Sequence, residues 1–127
     1  MTPAAWAAFL VAAAVGAPAR YLLDGWVQGR TGGAFPWGTF TVNVTGCLAL
    51  GVLTGLGLHH GLGPTPRAVL GSGGLGAYTT FSTFAFETVR LAEEGAVDTA
   101  VRNAAAGLLA GLAAAAAGLA LTTLPLG

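Results

Sequence analysis

Charge is what this chain of 127 residues has least of. Only 8% of its residues are Asp, Glu, Lys or Arg, all five cations are arginines, and the formal net charge is zero. Soluble domains carry roughly a quarter charged residues, so the composition excludes an ordinary soluble domain. A chain without excess positive charge also lacks the attraction that nucleic-acid binding needs, and we expect no nucleic-acid partner.

Cysteine and histidine are nearly absent as well. Cys47 is the single cysteine, which excludes an intrachain disulfide and a cysteine-rich metal site. Its apolar surroundings predict a small buried hydrophobic residue. The two histidines, His59 and His60, have no cysteine or acidic residue near them in the sequence. We therefore interpret them as loop residues rather than metal ligands.

Long apolar runs are what the chain has instead. Four of them, residues 3–23, 37–58, 68–90 and 103–126, are nearly free of charge and lack the polar face of a soluble bundle. Because about twenty residues cross the hydrocarbon of a bilayer, we predict a single all-α membrane domain with four transmembrane helices. The residues before Trp6 carry no charged side chain, which argues against a cleaved signal peptide.

The arginines give the chain little preference for one orientation. Arg67 stands alone on one predicted side of the membrane, whereas Arg30 and Arg102 fall on the other. Arg20 and Arg90 also fall toward that second side, but both lie at the ends of spans. The positive-inside bias is therefore weak. Such a chain can insert in both orientations, which permits an antiparallel pair.

The third run contains a signal for a break. Four glycines fall between Gly71 and Gly76, and each costs about 1 kcal/mol relative to alanine in a helix. We predict that the helix ends near residues 74–76 and resumes near Thr79, with Thr79 or Thr80 as its N-cap. Irregular backbone inside a membrane is tolerated only where protein buries it or where it lines a wet cavity. A break near the midplane therefore predicts an ion or substrate site.

Polar and aromatic side chains follow the predicted break at helical spacing. Thr80, Thr83 or Phe84, and Glu87 recur every three to four residues and form one face of a helix. Phe81 and Phe84 are three apart and share that region. Two interpretations of these phenylalanines stay open: ordinary packing, or ring edges whose partial positive charge meets an anion.

The second run brings further polar groups into the predicted membrane. Thr39 and Asn43 share one helical face, and Asn43 either joins helices or lines a pathway. Gly51 and Gly55 form a small-residue stripe at which another helix can approach closely. Arg20, near the end of the first run, is either an anchor at the membrane surface or a cation at the mouth of a pathway.

Three motifs together resemble one known family. They are GAPARY at 16–21, GTFTVNVTG at 38–46 and GAYTTFSTF at 76–84. In order and spacing these motifs resemble the Fluc fluoride channels of the CrcB family, and the last of them is the most specific. The resemblance implies a passive, highly selective fluoride channel without catalytic residues, which lowers intracellular fluoride from the inner membrane of a bacterium.

The resemblance also implies an assembly. Two subunits insert antiparallel as a dual-topology dimer, either a homodimer or a pair with a homologous subunit. The partners are then fluoride, the lipid bilayer and one structural sodium ion. In the family's pattern the main-chain carbonyl groups of Gly76 and Thr79 from both subunits hold that sodium.

Residue roles carry over by the same likeness. Phe81 and Phe84 correspond to ring edges along the fluoride path, Asn43 to its amide, and Arg20 to a vestibule cation. The remaining members of the implied pore are hydroxyl and carboxyl groups: Thr39, Thr80, Ser82 and Glu87.

The chain departs from the family's pattern in its last helix, and other functions also have to be weighed. The final helix, residues 104–120, has no hydroxyl or aromatic side chain, which puts any pore lining from that helix in doubt. The main alternative function is a sodium- or proton-coupled exporter of small anions that uses the same broken helix, with Glu87 as the proton site. A structural membrane subunit would explain the hydropathy but not the run from Thr79 to Phe84.

Overall fold

The computed structural model describes residues 1–125, and the predicted end of the last span at Leu126 lies outside them. Every regular element in the described range is helical, which confirms the predicted all-α class. The elements are α1 (Pro3–Thr31), α2 (Trp37–His59), α3 (Pro64–Arg67), a π-helical segment (Ala68–Leu75), α4 (Gly76–Tyr78), α5 (Ser82–Glu93) and α6 (Val97–Leu121).

Three of these helices, α1, α2 and α6, are long and apolar enough to cross a membrane. The predicted third span corresponds to residues 64–93, where the helical path is interrupted after Tyr78 and resumes at Ser82. Only 6% to 22% of the most apolar window in each long helix is buried within the chain. The chain is therefore a multi-pass membrane protein whose outer surface is left for lipid or another subunit.

The first helix is longer than the apolar run predicted. It begins at Pro3, where the Thr2 hydroxyl accepts a hydrogen bond from the Ala5 N–H at 3.1 Å. It continues past the predicted end at residue 23 to Thr31, because nothing in residues 24–31 stops a helix before Gly32, whose φ is +62°. Asp24 is consequently a helix residue and not, as predicted, the start of a loop.

Glycines set the distance between α2 and α6. A side chain at Gly51 would collide with the Ala115 carbonyl group, and one at Gly55 would collide with Thr122. From the other helix, Gly118 lies against the Leu48 carbonyl group in the same way. The prediction that the stripe of Gly51 and Gly55 admits a close helix is confirmed, and that helix is α6.

The glycines of the third run do not end the helix, so the predicted position of the break is wrong. The backbone stays helical through Leu75 as a π-helix and then as α4 to Tyr78. The reason is packing against α1: the Gly74 carbonyl group lies against Gly16, and a side chain at Gly73 would touch Phe9. Glycine here allows close approach of two helices rather than a chain reversal.

Candidate functional site

The break itself lies at residues 79–81. Thr79 has an extended backbone, with φ −81° and ψ 161°, and α5 begins three residues later at Ser82. The Thr79 N–H and the Thr79 hydroxyl both donate to the Leu75 carbonyl oxygen, each at 2.9 Å. Gly46 on α2 lies against the Thr79 methyl group and leaves no room for a side chain of its own. The break is thus held from below by Leu75 and from the side by α2.

Asn43 closes the break with two hydrogen bonds. Its amide oxygen accepts from the Thr80 N–H at 2.8 Å, and its amide nitrogen donates to the Thr80 carbonyl oxygen at 2.8 Å. Both polar groups of the Thr80 peptide backbone, which a continuous helix would have paired, are satisfied in this way. Of the two roles left open for Asn43, joining helices is therefore realised, and the same side chain also lines a cavity.

Two carbonyl groups lose their helical donors as a consequence. The N–H of Thr80, four residues after Gly76, is occupied by Asn43. The N–H of Thr83, four residues after Thr79, donates instead to the Thr80 hydroxyl at 3.1 Å. Thr80 thus makes the kind of side-chain hydrogen bond expected of a cap, but Phe81 is the residue that precedes α5, so the predicted N-cap position is one residue early. The carbonyl oxygens of Gly76 and Thr79 therefore have no helical partner.

A cavity of about 480 Å³, the large cavity of the two that Thr80 lines, opens beside the break. It brings together six residues of the predicted site: Asn43, Gly76, Thr79, Thr80, Phe81 and Phe84. Thr80, at 8% exposure, forms part of its wall. The cavity therefore combines an amide, a hydroxyl, two aromatic rings and the freed backbone in one place.

The two phenylalanines differ in how the chain supports them. Their ring centroids are 6.2 Å apart, with the ring planes inclined by 50°. Phe84 packs against Gly107 of α6, where a side chain would come within 2.7 Å of the ring. Phe81 is 80% exposed and packs little against its own chain. Packing within this chain accounts for Phe84 but not for Phe81.

The rest of the cavity wall is mostly apolar, and Ser72 and Cys47 are its other polar members. Helix α6 contributes Gly107 and Leu108 and no hydroxyl group. Cys47, one turn beyond Asn43 on α2, also lines the cavity and is half-buried rather than fully buried as predicted. Its sulfur lies 3.4 Å from the position of a Cβ at Gly111. Cys47 lines the cavity because α6 packs beside it, and the sequence alone does not indicate that contact.

A second, smaller cavity of about 190 Å³ lies on the other side of Thr80. It contains two more residues of the predicted site, Arg20 and Thr39. Asp24 and Thr83 line it as well, together with Tyr21 and Val42. Thr80 belongs to both cavities and separates them. The small cavity is therefore a mixed-charge chamber next to the break.

Thr39 and Glu87 meet beside the small cavity. Thr39 is 2% exposed, and its side chain faces the Glu87 carboxyl group. Within residues 1–125, however, neither Thr39 Oγ1 nor Glu87 Oε1 makes a hydrogen bond. Buried polar atoms are nearly always paired in proteins, and the nearest partners for these two atoms are each other and water.

Two predicted residues line neither cavity. Glu87 lies behind Thr39, as described, and Ser82 is exposed on the first turn of α5. The Ser82 hydroxyl is 3.3 Å from the Thr80 hydroxyl. Ser82 is thus connected to the site through Thr80 alone.

The sequence interpretation missed a polar pair that fixes α5. Asn103, fully buried on α6, donates to the Thr88 hydroxyl at 2.8 Å, and that hydroxyl donates to the Phe84 carbonyl oxygen at 2.8 Å. The amide at the start of an otherwise apolar run was a signal for such a bond. Because the bond ends on Phe84, it holds the phenylalanine-bearing turn of α5 against α6.

Comparison with known proteins agrees with the motifs. Residues 7–119 match the family described as CrcB-like protein, Camphor Resistance (CrcB). A protein of Streptomyces avermitilis named fluoride-specific ion channel FluC 1 is 51% identical over 114 residues, covering 90% of this chain and 92% of the relative. A protein of the same name from Symbiobacterium thermophilum is 50% identical over 118 residues, covering 91% and 95%. With this match over most of its length, the chain belongs to the CrcB family.

Proposed function

We propose that the protein is a passive fluoride channel, highly selective for fluoride, that lowers intracellular fluoride from the inner membrane of a bacterium. The observation that carries the proposal is the cavity beside the break, where Asn43, Thr80 and the two phenylalanine rings meet. Relatives at about half identity, named as fluoride-specific ion channels, support it. No residue in this proposal forms or breaks a covalent bond, so the protein is not an enzyme.

Selectivity would come from groups that replace water around a small anion. The Asn43 amide nitrogen carries two hydrogens, and only one is used on the Thr80 carbonyl oxygen. The Thr80 hydroxyl accepts from the Thr83 N–H, so its own hydrogen can donate either to the Ser82 hydroxyl at 3.3 Å or to an ion in the cavity. The ring edges of Phe81 and Phe84 add weak positive charge. None of these donors carries a formal charge. They can therefore replace the water around fluoride without binding the ion too tightly for it to leave the site.

We propose an antiparallel dual-topology homodimer as the working assembly, since the sequence does not require a distinct homologous subunit. Phe81 is exposed on a single chain, and the large cavity is open on the side of Gly76. A second copy would cover this apolar surface and complete the wall. The weak orientation bias of the arginines permits both insertions that such a dimer requires.

A structural sodium ion fits the freed carbonyl groups. Gly76 and Thr79 present carbonyl oxygens without helical donors, and uncharged oxygens of this kind are suitable ligands for a hard monovalent cation. Bare carbonyl groups in hydrocarbon cost several kcal/mol each, by a general estimate. We propose that Gly76 and Thr79 of both subunits hold the sodium, whose chemistry is to neutralise these dipoles and join the subunits.

The direct test is fluoride efflux from liposomes that contain only this protein. The vesicles are loaded with fluoride, an ionophore for potassium provides the electrical shunt, and a fluoride electrode records release. We expect efflux down the gradient without an imposed sodium or proton gradient, and chloride efflux at a far lower rate.

The same assay separates the proposal from a coupled exporter. Efflux that stops when the proton or sodium gradient is collapsed under the shunt would support the exporter and contradict the channel. Protein-free liposomes and liposomes with the Asn43→Leu variant provide the baseline.

A further inference from the structure

The small cavity contains one acidic residue for which the proposed function has no use. Asp24 and Arg20, one helical turn apart on α1, both line the chamber of about 190 Å³ that Thr80 separates from the large cavity. Within residues 1–125 the ion pairs join Arg90 with Glu94 and Arg102 with Asp98. Arg20 and Asp24 therefore share the cavity without pairing with each other.

The packing of α2 explains why they remain apart. Asp24 lies directly against Gly38, in the first turn of α2, where any larger residue would collide with its carboxylate. A helix N-terminus carries partial positive charge that stabilises a nearby anion, although the Gly38 N–H itself donates to the Gln28 side-chain oxygen at 3.2 Å. The close packing against Gly38 keeps Asp24 on the wall of the small cavity, where it forms no ion pair with Arg20 within residues 1–125.

Polar side chains complete the wall of the cavity. Thr39 lines it, is 2% exposed, and its hydroxyl group faces the Glu87 carboxyl group. Thr83 and Tyr21 add polar groups to the wall. Glu87 lies behind Thr39, and Arg90 is a further turn along α5, but neither lines the cavity. The formal charges on the wall itself are therefore one positive and one negative.

We propose that Asp24 is a specificity-determining residue that offsets the charge of Arg20 and limits how strongly the small cavity attracts anions. This inference rests on the proposed fluoride channel. If Arg20 were the only charged residue on its wall, the small cavity would attract every anion, and chloride is usually more abundant than fluoride. With Asp24 in place, the chamber is neutral by formal charge, so the selection of the ion is left to the uncharged donors around Thr80 and Asn43.

The test compares Asp24→Asn with Asp98→Asn, a change of the same chemistry and net charge. Asp98 is exposed and paired with Arg102 at the start of α6, at the same end of the bundle but away from the cavity. Fluoride efflux is measured at low fluoride and at ionic strengths of about 0.01 M and about 1 M, set with a large impermeant anion. These values change the screening length from about 30 Å to about 3 Å.

We expect Asp24→Asn to raise the initial rate by about two- to tenfold at low ionic strength, because electrostatic capture of an ion scales with local charge. The difference should vanish at high ionic strength, and Asp98→Asn should match the unchanged protein under both conditions. Added chloride should slow the Asp24→Asn variant more than the unchanged protein. A purely structural role for Asp24 would not produce a salt-dependent difference.

Arg20→Gln supplies the opposite perturbation and keeps the test decisive if Asp24→Asn fails to fold. Its rate should fall about two- to tenfold at low ionic strength and recover at high ionic strength. The double variant Arg20→Gln, Asp24→Asn should regain the weak salt dependence of the unchanged protein. Equal rates for Asp24→Asn and the unchanged protein at both ionic strengths would overturn the inference while leaving the channel intact. An unchanged protein that passes no fluoride would instead refute the proposed function.

Discussion

The interface between α2 and α6 and the break between α4 and α5 bring segments together by different chemistry. At the interface, Gly51 and Gly118 place backbone directly on backbone, and no side chain is involved at the closest points. At the break, the Asn43 side chain forms both hydrogen bonds that a helix would have made with Thr80. The interface depends on the absence of side chains at its glycines, whereas the break depends on the amide group of Asn43.

The difference explains where each kind of substitution should matter. Packing without hydrophobic driving force, as in a bilayer, relies on close contact, so added atoms at the glycines separate the helices. Backbone N–H and carbonyl groups in a bilayer have no water to bind, so removal of the Asn43 amide would leave those of Thr80 without hydrogen-bond partners. The four expected outcomes below test this contrast, from the largest effect to the smallest.

The largest effect is expected for Asn43→Leu. It removes both hydrogen bonds to Thr80 while keeping the side-chain volume, and each unsatisfied group costs about 1–3 kcal/mol. We expect loss of fluoride efflux and a clear drop of the melting temperature in detergent. Thr54→Val is the control and should keep both, because Thr54 is an exposed residue of the same helix that lines neither cavity. An Asn43→Leu protein with normal melting and efflux would show that the break does not depend on the amide.

Gly118→Ala tests the glycine contact between α2 and α6. The new methyl group meets the Leu48 carbonyl group on α2, and forced overpacking of this kind costs about 1–3 kcal/mol. We expect a lower melting temperature with the channel activity retained in the folded fraction. The control is Gly25→Ala on α1, where the added group has open space. If both variants melt alike, the glycine contact between α2 and α6 is not limiting for stability.

Phe84→Ile sharpens the contrast by separating ring chemistry from packing. Isoleucine keeps apolar bulk against Gly107 but has no aromatic edge, and we expect fluoride efflux to fall at least about tenfold, or about 1.4 kcal/mol in barrier height. The melting temperature should change little. Phe86→Ile is the matched control, since Phe86 is exposed on the outer surface and lines neither cavity. Wild-type efflux in Phe84→Ile would leave packing as the only role of the ring.

The smallest effect is expected for Gly76→Ala. Gly76 has ordinary helical angles, φ −60° and ψ −38°, and an added Cβ would lie 3.7 Å from the Gly71 carbonyl oxygen, an ordinary contact. Within the chain this backbone therefore does not need the conformational freedom of glycine. We expect the free energy of unfolding to stay within about 0.5 kcal/mol of the original value, so the melting temperature should change little. Dimer content, measured by light scattering, tests whether the carbonyl group still serves the subunit boundary.

The amount of the site that could be predicted varied with the range of the interaction. Helical spacing alone placed Thr80 and Phe84 near each other, and the large cavity contains both. The glycine run was misjudged because propensity describes an isolated helix, whereas here α1 packs onto Gly73 and Gly74 and keeps the backbone helical. The break fell beside Thr80 because Asn43, thirty-seven residues before Thr80, supplies the competing hydrogen bonds.

Hydropathy by itself determined that the chain is helical and lies in a membrane, because about twenty apolar residues without charge have few other stable states. The motifs by themselves determined the family. The tertiary structure alone decided which carbonyl groups are free, because the donors that would pair Gly76 and Thr79 are taken by side chains. It also decided that Asp24 faces the cavity of Arg20, because α1 continues as a helix to Thr31 and α2 begins directly against it. The free carbonyl groups and the position of Asp24 both depend on contacts between segments that are distant in the sequence. Such contacts choose between conformations of similar local free energy, so local sequence does not predict them.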